Sequence, residues 1–496
     1  MTSLRRYGIA LFALCASLSA HAAPGALDTA SFGSGGNVIT AIGTGRGVAN
    51  AIALQPDGKI VVAGTCWNVN YDFCLVRYLP SGALDTSFGS SGTIVTAIGT
   101  GRDVARARAL ALQPDGKIVA AGECSDSFKT YFCLARYLPS GALDTSFGLG
   151  GTILSASGTN YGYANAVALQ PDGKIVAAGS CDNGSNADFC LARYLPSGAL
   201  DTSFNATGRA ITAIGASYDF AKALALQPDG KIVAAGVCSN SSNEDFCLAR
   251  FLTSGALDTS FGTGGKVLSA IGASHDDSSA LAIQPDGKIV AAGGCRDGSH
   301  HLDFCLARFL TSGALDTSFN TTGTVITAIG ASNDVAYALA VQPDGKIVAA
   351  GGCDNGSHEN FCLARYLPSG TLDTTFGSGG TVTSAIATSE NRALALALQP
   401  DGKIVAAGYC WNGSGTDFCL ARYEGGPFDA RNCSMDIDGD NQVLAMTDSL
   451  IHTRIALGMT GPAVLNGITF AAHATRTNWS AIQNYLVSQC GMSIAP

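Results

Sequence analysis

Gln113-Pro-Asp-Gly-Lys-Ile-Val-Ala-Ala-Gly122 is the stretch on which the fold turns. Close copies begin at Gln55, Gln170, Gln227, Gln284, Gln342 and Gln399, at steps of 57 or 58 residues. A fixed period of this length, repeated seven times, marks a stacked or closed array. Before the motif, Ala109-Leu-Ala-Leu112 alternates as a strand does. Pro114 then sets φ, Gly116 supplies a positive φ, and Ile118-Val119 opens a β-branched run. Each copy predicts a β-hairpin.

Outward from this hairpin, the second copy offers four strands, at 104–113, 117–124, 132–138 and 151–156. Four antiparallel strands per unit, seven times over, predict an all-β, seven-bladed β-propeller across residues 25–423. A parallel β-helix wants shorter repeats without internal hairpins, and a string of small sandwiches wants linkers that this sequence lacks.

Cysteine is the second regularity. Cys66 and Cys74, Cys124 and Cys133, Cys181 and Cys190, Cys238 and Cys247, Cys295 and Cys305, Cys353 and Cys362, and Cys410 and Cys419 give one pair per repeat, 8 to 10 residues apart. The first of each pair ends one strand and the second opens the next, which predicts seven disulfides in an exported chain. Zinc-binding pairs usually sit two to four residues apart and fit the spacing less well.

The N-terminal 22 residues read as a signal peptide: Arg5 and Arg6, an apolar run over 7–18, then Ala20-His-Ala22. That run is too short to span a bilayer, and no later stretch approaches the ~18 apolar residues that a span needs. The expected location is therefore the periplasm, the cell surface or the exterior. Charged residues make up only 14% of the chain and glycines number 62, as suits a turn-rich β protein. A formal charge of −9 provides no basic footprint for nucleic acid.

Three motifs recur in order: Leu-Asp-Thr-Ser-Phe-Gly, the Gln-Pro-Asp-Gly hairpin, and Phe-Cys-Leu-Ala-Arg-Tyr. In these the stretch from Leu27 to Tyr423 resembles the delta-60 repeat family, exported bacterial propeller proteins mostly without an assigned activity. The hairpin is also similar to that of NHL-type propellers, which implies that the strand before the Asp-Gly turn is innermost. On that analogy the chain starts with an outermost strand at 38–42, and this strand completes the last blade and closes the ring. Ala107, Ala109 and Ala111 are then expected to form the small face of an inner strand, with Leu110 and Leu112 between them.

Alternate loops of such blades fall on opposite faces. The Pro-Asp-Gly turns share one face with nearly invariant connections, in which a repeated Arg (Arg77, Arg136) and Asp (Asp85, Asp144) are expected to pair or cap turns. The cysteine-bounded loops share the other face and differ in every copy, so a specific site belongs there. Five residues before each motif, Asn50, Arg108, Asn165, Lys222, Ser279, Tyr337 and Leu394 are predicted to ring the channel mouth. This mixture suits either a small ligand or a water-filled pore. His275, His300, His301 and His358 lie on variable loops of the fifth and sixth repeats, beside Asp276, Asp277, Asp297 and Glu359. Imidazoles with carboxylates suit a transition metal or acid–base chemistry, but the spacing matches no metal motif and also fits a solvated loop surface. Trp67, Tyr71, Tyr131 and Trp411 could stack on sugars.

Residues 424–428 read as a linker, and 429–496 as a small, mainly helical module stapled by an eighth disulfide between Cys433 and Cys490. Asp436, Asp438, Asp440, Gln442, Thr447 and Asp448 follow the oxygen-ligand rhythm of a calcium loop. This loop resembles a dockerin half-module, with Asn441 where glycine is usual and the helix-side acid one residue late. A second helix is expected over 479–488, with its Trp and Tyr as core.

No Gly-x-Ser-x-Gly elbow, His-Glu-x-x-His motif or phosphate loop occurs. The sequence thus points to a secreted, monomeric, non-catalytic binding or scaffold protein, with calcium in its C-terminal module. Its expected partner is an extracellular protein, a glycan or a small molecule. The alternatives are a metal-assisted hydrolase or lyase working at the channel mouth, and a carbohydrate-binding propeller.

Overall fold

The computed structural model describes residues 22–426 except 99–103, 126–128, 156–160, 241, 297, 299 and 300. In the C-terminal stretch it describes residues 451, 464–465, 468, 470 and 477–488. The first strands are β1 (Asn37–Thr40), β2 (Gly47–Leu54), β3 (Ile60–Trp67), β4 (Tyr71–Tyr78) and β5 (Thr93–Thr96). β2 to β5 form one antiparallel four-stranded sheet, and six further sheets repeat the pattern. The repeated motif builds each first hairpin. Gln55 N–H donates to the Lys59 carbonyl at 2.8 Å, around a loop whose Gly58 has φ +80°.

β1 pairs with the last strand, Thr416–Tyr423, with Asn37 opposite Ala421 and Thr40 opposite Phe418. The N-terminal strand therefore completes the seventh blade, and the ring closes as expected. β1 ends two residues before the expected 42, because Ile42 turns out of the ladder into the core.

The middle strands are sandwiched between neighbouring blades, so Ile60, Val61, Val62 and Ala63 are all fully buried. Successive side chains serve opposite interfaces: Val61 and Ala63 pack toward the second blade, and Ile60 and Val62 toward the seventh. Seven disulfides join the predicted pairs, at Cα separations of 5.5 to 5.8 Å. Cys66 stands opposite Asp72 and Cys74 opposite Gly64, so each bridge runs diagonally across a hairpin. Buried disulfides in every blade indicate an oxidising compartment. Among the described residues, no helix is long and apolar enough to cross a membrane.

The inner strands depart from simple alternation. In β2, Ala49 pairs with Gly64 and Ala51 with Ala63, so Asn50 is an extra, unpaired residue: a β-bulge. The six other inner strands bulge at the equivalent residue. A one-residue slip exchanges the faces beyond it. Ala107 consequently packs with Leu110 and Leu112 toward the first blade, while Ala109 packs toward the third. The expectation that Ala107 and Ala109 share one face is corrected by the bulge at Arg108.

The invariant Arg and Asp clasp adjacent blades. Arg77 Nε–H donates to Asp85 Oδ2 at 2.8 Å and Nη1–H to the Pro139 carbonyl of the following repeat at 2.6 Å. Its guanidinium also lies 4.3 Å from the Phe88 ring centroid. Closure uses the same parts: Arg422 reaches Asp28 and the Pro80 carbonyl, and Tyr78 O–H bonds Thr40 across the seam.

In the C-terminal stretch, helix α1 (Trp479–Ser488) is capped by Asn478, whose Oδ1 accepts from Ala481 N–H at 2.9 Å. Ile482 is buried with Ile451 and Val464, and the half-buried Trp479 packs on them. Cys433, Cys490 and the loop bearing Asp436, Asp438, Asp440, Gln442, Thr447 and Asp448 lie outside the described residues.

The Ser87 hydroxyl, with its amide and Arg77, holds the Asp85 carboxyl down to about 2, and Ser260 with Arg250 does the same for Asp258. A depressed carboxyl contributes stability that is complete above its unfolded value and lost as pH falls toward the folded one. We therefore expect the thermal midpoint to hold from neutral pH to about 4 and to drop steeply between about 4 and 2. Scanning calorimetry at stepped pH checks this; a midpoint unchanged at pH 2 would show that the clasps do not hold the ring.

Candidate functional site at the channel mouth

The bulge aims the site. At the residue opposite it, every middle strand carries the last glycine of the repeated motif. A Cβ on Gly122 would meet the Arg106 carbonyl oxygen at 1.8 Å, and one on Gly236 would meet that of Phe220 at 1.9 Å. Real side chains never approach so closely, so glycine there is what lets the inner strand bulge. The extra residue then projects into the channel. Asn50, Arg108, Asn165, Lys222, Ser279, Tyr337 and Leu394 line a single cavity of about 470 Å³, together with Tyr163 and Phe220.

Tyr163 and Phe220 belong to a second tier, two residues earlier on each inner strand, which also holds Arg106, Asp277 and Arg392. The tiers are tied by charge. Lys222 Nζ donates to both oxygens of Asp277, at 2.7 and 2.6 Å. Arg392 Nε–H donates to Glu359 at 2.6 Å, and its guanidinium lies 5.3 and 5.7 Å from the Tyr337 and Tyr409 ring centroids. Burial pushes both phenols above their ordinary range, opposed by Arg392. Arg106 and Arg108 share the buried carboxylate of Glu123, at 2.9 and 3.1 Å. Asn50 and Asn165 brace the ring, donating to the Ala107 and Ala221 carbonyls of the next blade, each at 2.8 Å.

Aromatic rings continue outward on two neighbouring blades. Tyr161 and Tyr163 are 5.7 Å apart, and Tyr218 and Phe220 are stacked at 6.3 Å with planes 5° apart. Tyr218 is half exposed.

The histidines are placed differently. His275 is half exposed, with Nδ1 3.8 Å from Glu244 of the preceding blade. His358 closes a hairpin turn, its amide donating to Asn355 Oδ1 at 3.1 Å. His301 is exposed on the fifth blade's cysteine-bounded loop, and His300 lies outside the described residues. Among the described residues, no three His, Cys, Asp or Glu side chains come together as a metal cluster. Asp276 is fully buried and accepts from the Ile271 and Gly272 amides. Burial raises its carboxyl despite those bonds. Asp219 and Asp334 anchor equivalent loops in the same way, so Asp276 stands in a repeated loop anchor.

Seven segments, 55–88, 113–147, 170–204, 227–261, 284–319, 342–376 and 399–425, match the family described as "Domain of unknown function (DUF5122) beta-propeller". Residues 55–425 thus carry seven repeats that match this family. No curated protein matches. Among solved structures, an unknown-function protein from Dyadobacter fermentans is similar at 12% identity and TM-score 0.39, over 78% of this chain and 97% of its own. The polysaccharide lyase Uly1 is similar at 11% identity and TM-score 0.43, over 80% and 92%. A gluconolactonase from Xanthomonas campestris is similar at 13% and 0.31, over 62% and 82%. Likenesses at these values carry no argument about what this DUF5122 propeller does.

In the DUF5122 repeat, then, the motif's last glycine decides where the bulged inner-strand residue goes. Sequence reading reached the bulged ring and named Asp277 only as a companion of the histidines, but missed the rest of its tier, Arg106, Tyr163, Phe220 and Arg392, and the buried Glu123. The available signal was periodicity: these are the other positions of the inner and middle strands that change between otherwise near-identical copies. Gly236→Ala is expected to cost about 3 kcal/mol or more, as a buried backbone clash does. Gly298→Ala, with nothing within 4 Å of its Cβ, is expected to stay within about 0.5 kcal/mol. Thermal midpoints of the two variants check the difference; equal midpoints would mean that the bulge can be flattened at no cost.

Proposed function

We propose that this DUF5122 propeller is an exported, non-catalytic binding protein that holds a small ligand at its channel mouth. One observation carries the reading: seven bulges in near-uniform strands gather seven side chains of six kinds around one cavity, lined by aromatic rings and a few polar groups. Its charged groups are largely neutralised by one another, Lys222 by Asp277 and Arg392 by Glu359. Such pairs suit a fixed recognition surface better than proton transfer, which needs an acid or base held ready near the working pH. Disulfides in every blade support export.

A carbohydrate reading has its own observation. Trp67 is 40% exposed on the rim and stands edge-on to Tyr71, with ring centroids 4.9 Å apart. The C-terminal loop from Asp436 to Asp448 is proposed to bind calcium, on its ligand rhythm alone. Calcium is then expected to raise the stability of the tail, read from Trp479 fluorescence during urea unfolding with and without chelator. An identical curve in both conditions would remove that proposal.

A thermal-shift panel of glycans, organic acids, amino acids and nucleosides on the full chain tests the main reading. Ligands found this way should lose roughly tenfold or more in affinity with Tyr163→Ala, the scale of one lost aromatic contact with its hydrogen bond. Trp67→Ala should leave them unchanged. The opposite pattern, loss with Trp67→Ala alone, would move the site to the rim and favour a sugar-binding propeller.

A further inference from the structure

Blade 2 differs from the other walls of the cavity in its charge arithmetic. Lys222 meets Asp277 one to one, and Arg392 meets Glu359 one to one. Arg106 and Arg108 meet a single carboxylate, Glu123. Glu123 is only 5% exposed in its side chain, whereas the two arginines are 42% and 40% exposed. A buried carboxylate thus fixes two guanidiniums that remain partly exposed, that of Arg108 on the channel cavity. Arg106 is also held by the Tyr71 ring, 5.0 Å from its guanidinium.

Arg108 is the one with donors to offer. Its bonds to Glu123 both come from Nη2. Its Nε–H and Nη1–H make no hydrogen bond among the described residues, and Arg108 lines the cavity. A guanidinium presents its donors as a planar fork that matches two oxygens of a carboxylate or phosphate. The next two blades contribute Tyr163 and Phe220 to the same cavity. Arg108, Tyr163 and Phe220 therefore line one cavity from three successive blades, with the net positive charge of two arginines on one carboxylate at one end and aromatic rings beside it.

We infer that this wall takes a small ring-bearing organic anion, its carboxylate or phosphate on the Arg108 fork and its ring against Tyr163 and Phe220. The inference rests on the channel-mouth reading above and adds the ligand's charge and shape. The whole chain carries −9, so the preference is a local property of two arginines on one carboxylate, with no general attraction of anions to the protein. Carboxylate and phosphate share this chemistry and are separated by the choice of probes.

Isothermal titration of the full chain with benzoate, glucuronate and phenyl phosphate, each against its neutral counterpart (benzyl alcohol, glucose and phenol), tests the inference. At least one anion is expected to bind tenfold or more tightly than its counterpart, the scale of one charge-assisted hydrogen-bond pair. Arg108→Gln should abolish that preference, the anion losing at least tenfold more affinity than its neutral counterpart. Tyr163→Ala should weaken anion and neutral compound together. Raising salt to 0.5 M should weaken the anion only. If no anion outbinds its counterpart at millimolar concentration, or if Arg108→Gln keeps the preference, the anion inference falls. Neutral ligands still lost with Tyr163→Ala would then leave the channel-mouth reading standing. An anion preference abolished by Arg108→Gln but indifferent to Tyr163→Ala would overturn the proposed wall.

Discussion

A carbonyl oxygen pressed against a backbone position that has room only for hydrogen governs this molecule. In each blade the inner strand bows toward the middle strand just where the motif ends in glycine. The contact does two things at once. It admits an extra residue to the inner strand, and it exchanges the faces of everything beyond that residue, so that alanine faces one neighbouring blade and leucine the other. Blade packing and channel lining are thus set by the same bulge. Substitution of that glycine disturbs both, whereas a change at the bulged residue leaves the strand register in place and acts on the lining and on that residue's own bonds to the next blade.

The division of labour follows from this. Seven copies of the Arg–Asp–carbonyl clasp hold the ring from the face of the Pro-Asp-Gly turns, the seventh of them at the seam, where Asp28 and Arg422 come from opposite ends of the propeller. The clasp engages a backbone carbonyl, which any residue supplies, so it makes no demand on the sequence of the opposite face. The disulfides pin the hairpins that rise to that face. With its base fixed on both sides, each variable loop and each bulged residue can differ without loosening its neighbours.

Much of this was legible in the repeat. The period, the alternation into Pro-Asp-Gly and the paired cysteines specify blades, hairpins and bridges, because those features are local and recur seven times. The bulge was not legible from Ala107-Arg-Ala109, which reads as unbroken alternation. Its cause lies in Gly122 on the partner strand, and a period-2 reading looks along one strand only. The ring of Asn50, Arg108 and their equivalents could be located by counting from the motif. Its pairing with Glu123 and Asp277 could not, because those partners come from other strands, and for Lys222 from another blade.

The histidines show the limit from the other side. His275, His301 and His358 drew attention through their residue type, yet their positions are set by loops whose anchors are different residues: Asp276 buried beneath the Ile271 and Gly272 amides, and Asn355 inside its own hairpin. Variable loops collect polar side chains without aiming them at a common point. The bulged residues are aimed, because a backbone irregularity repeated at one height in seven sheets converges on one axis by geometry alone. In a repeat protein, convergence of this kind is a stronger pointer to a site than chemical type. It is why Arg108, an ordinary arginine by composition, carries more of the functional argument here than three histidines.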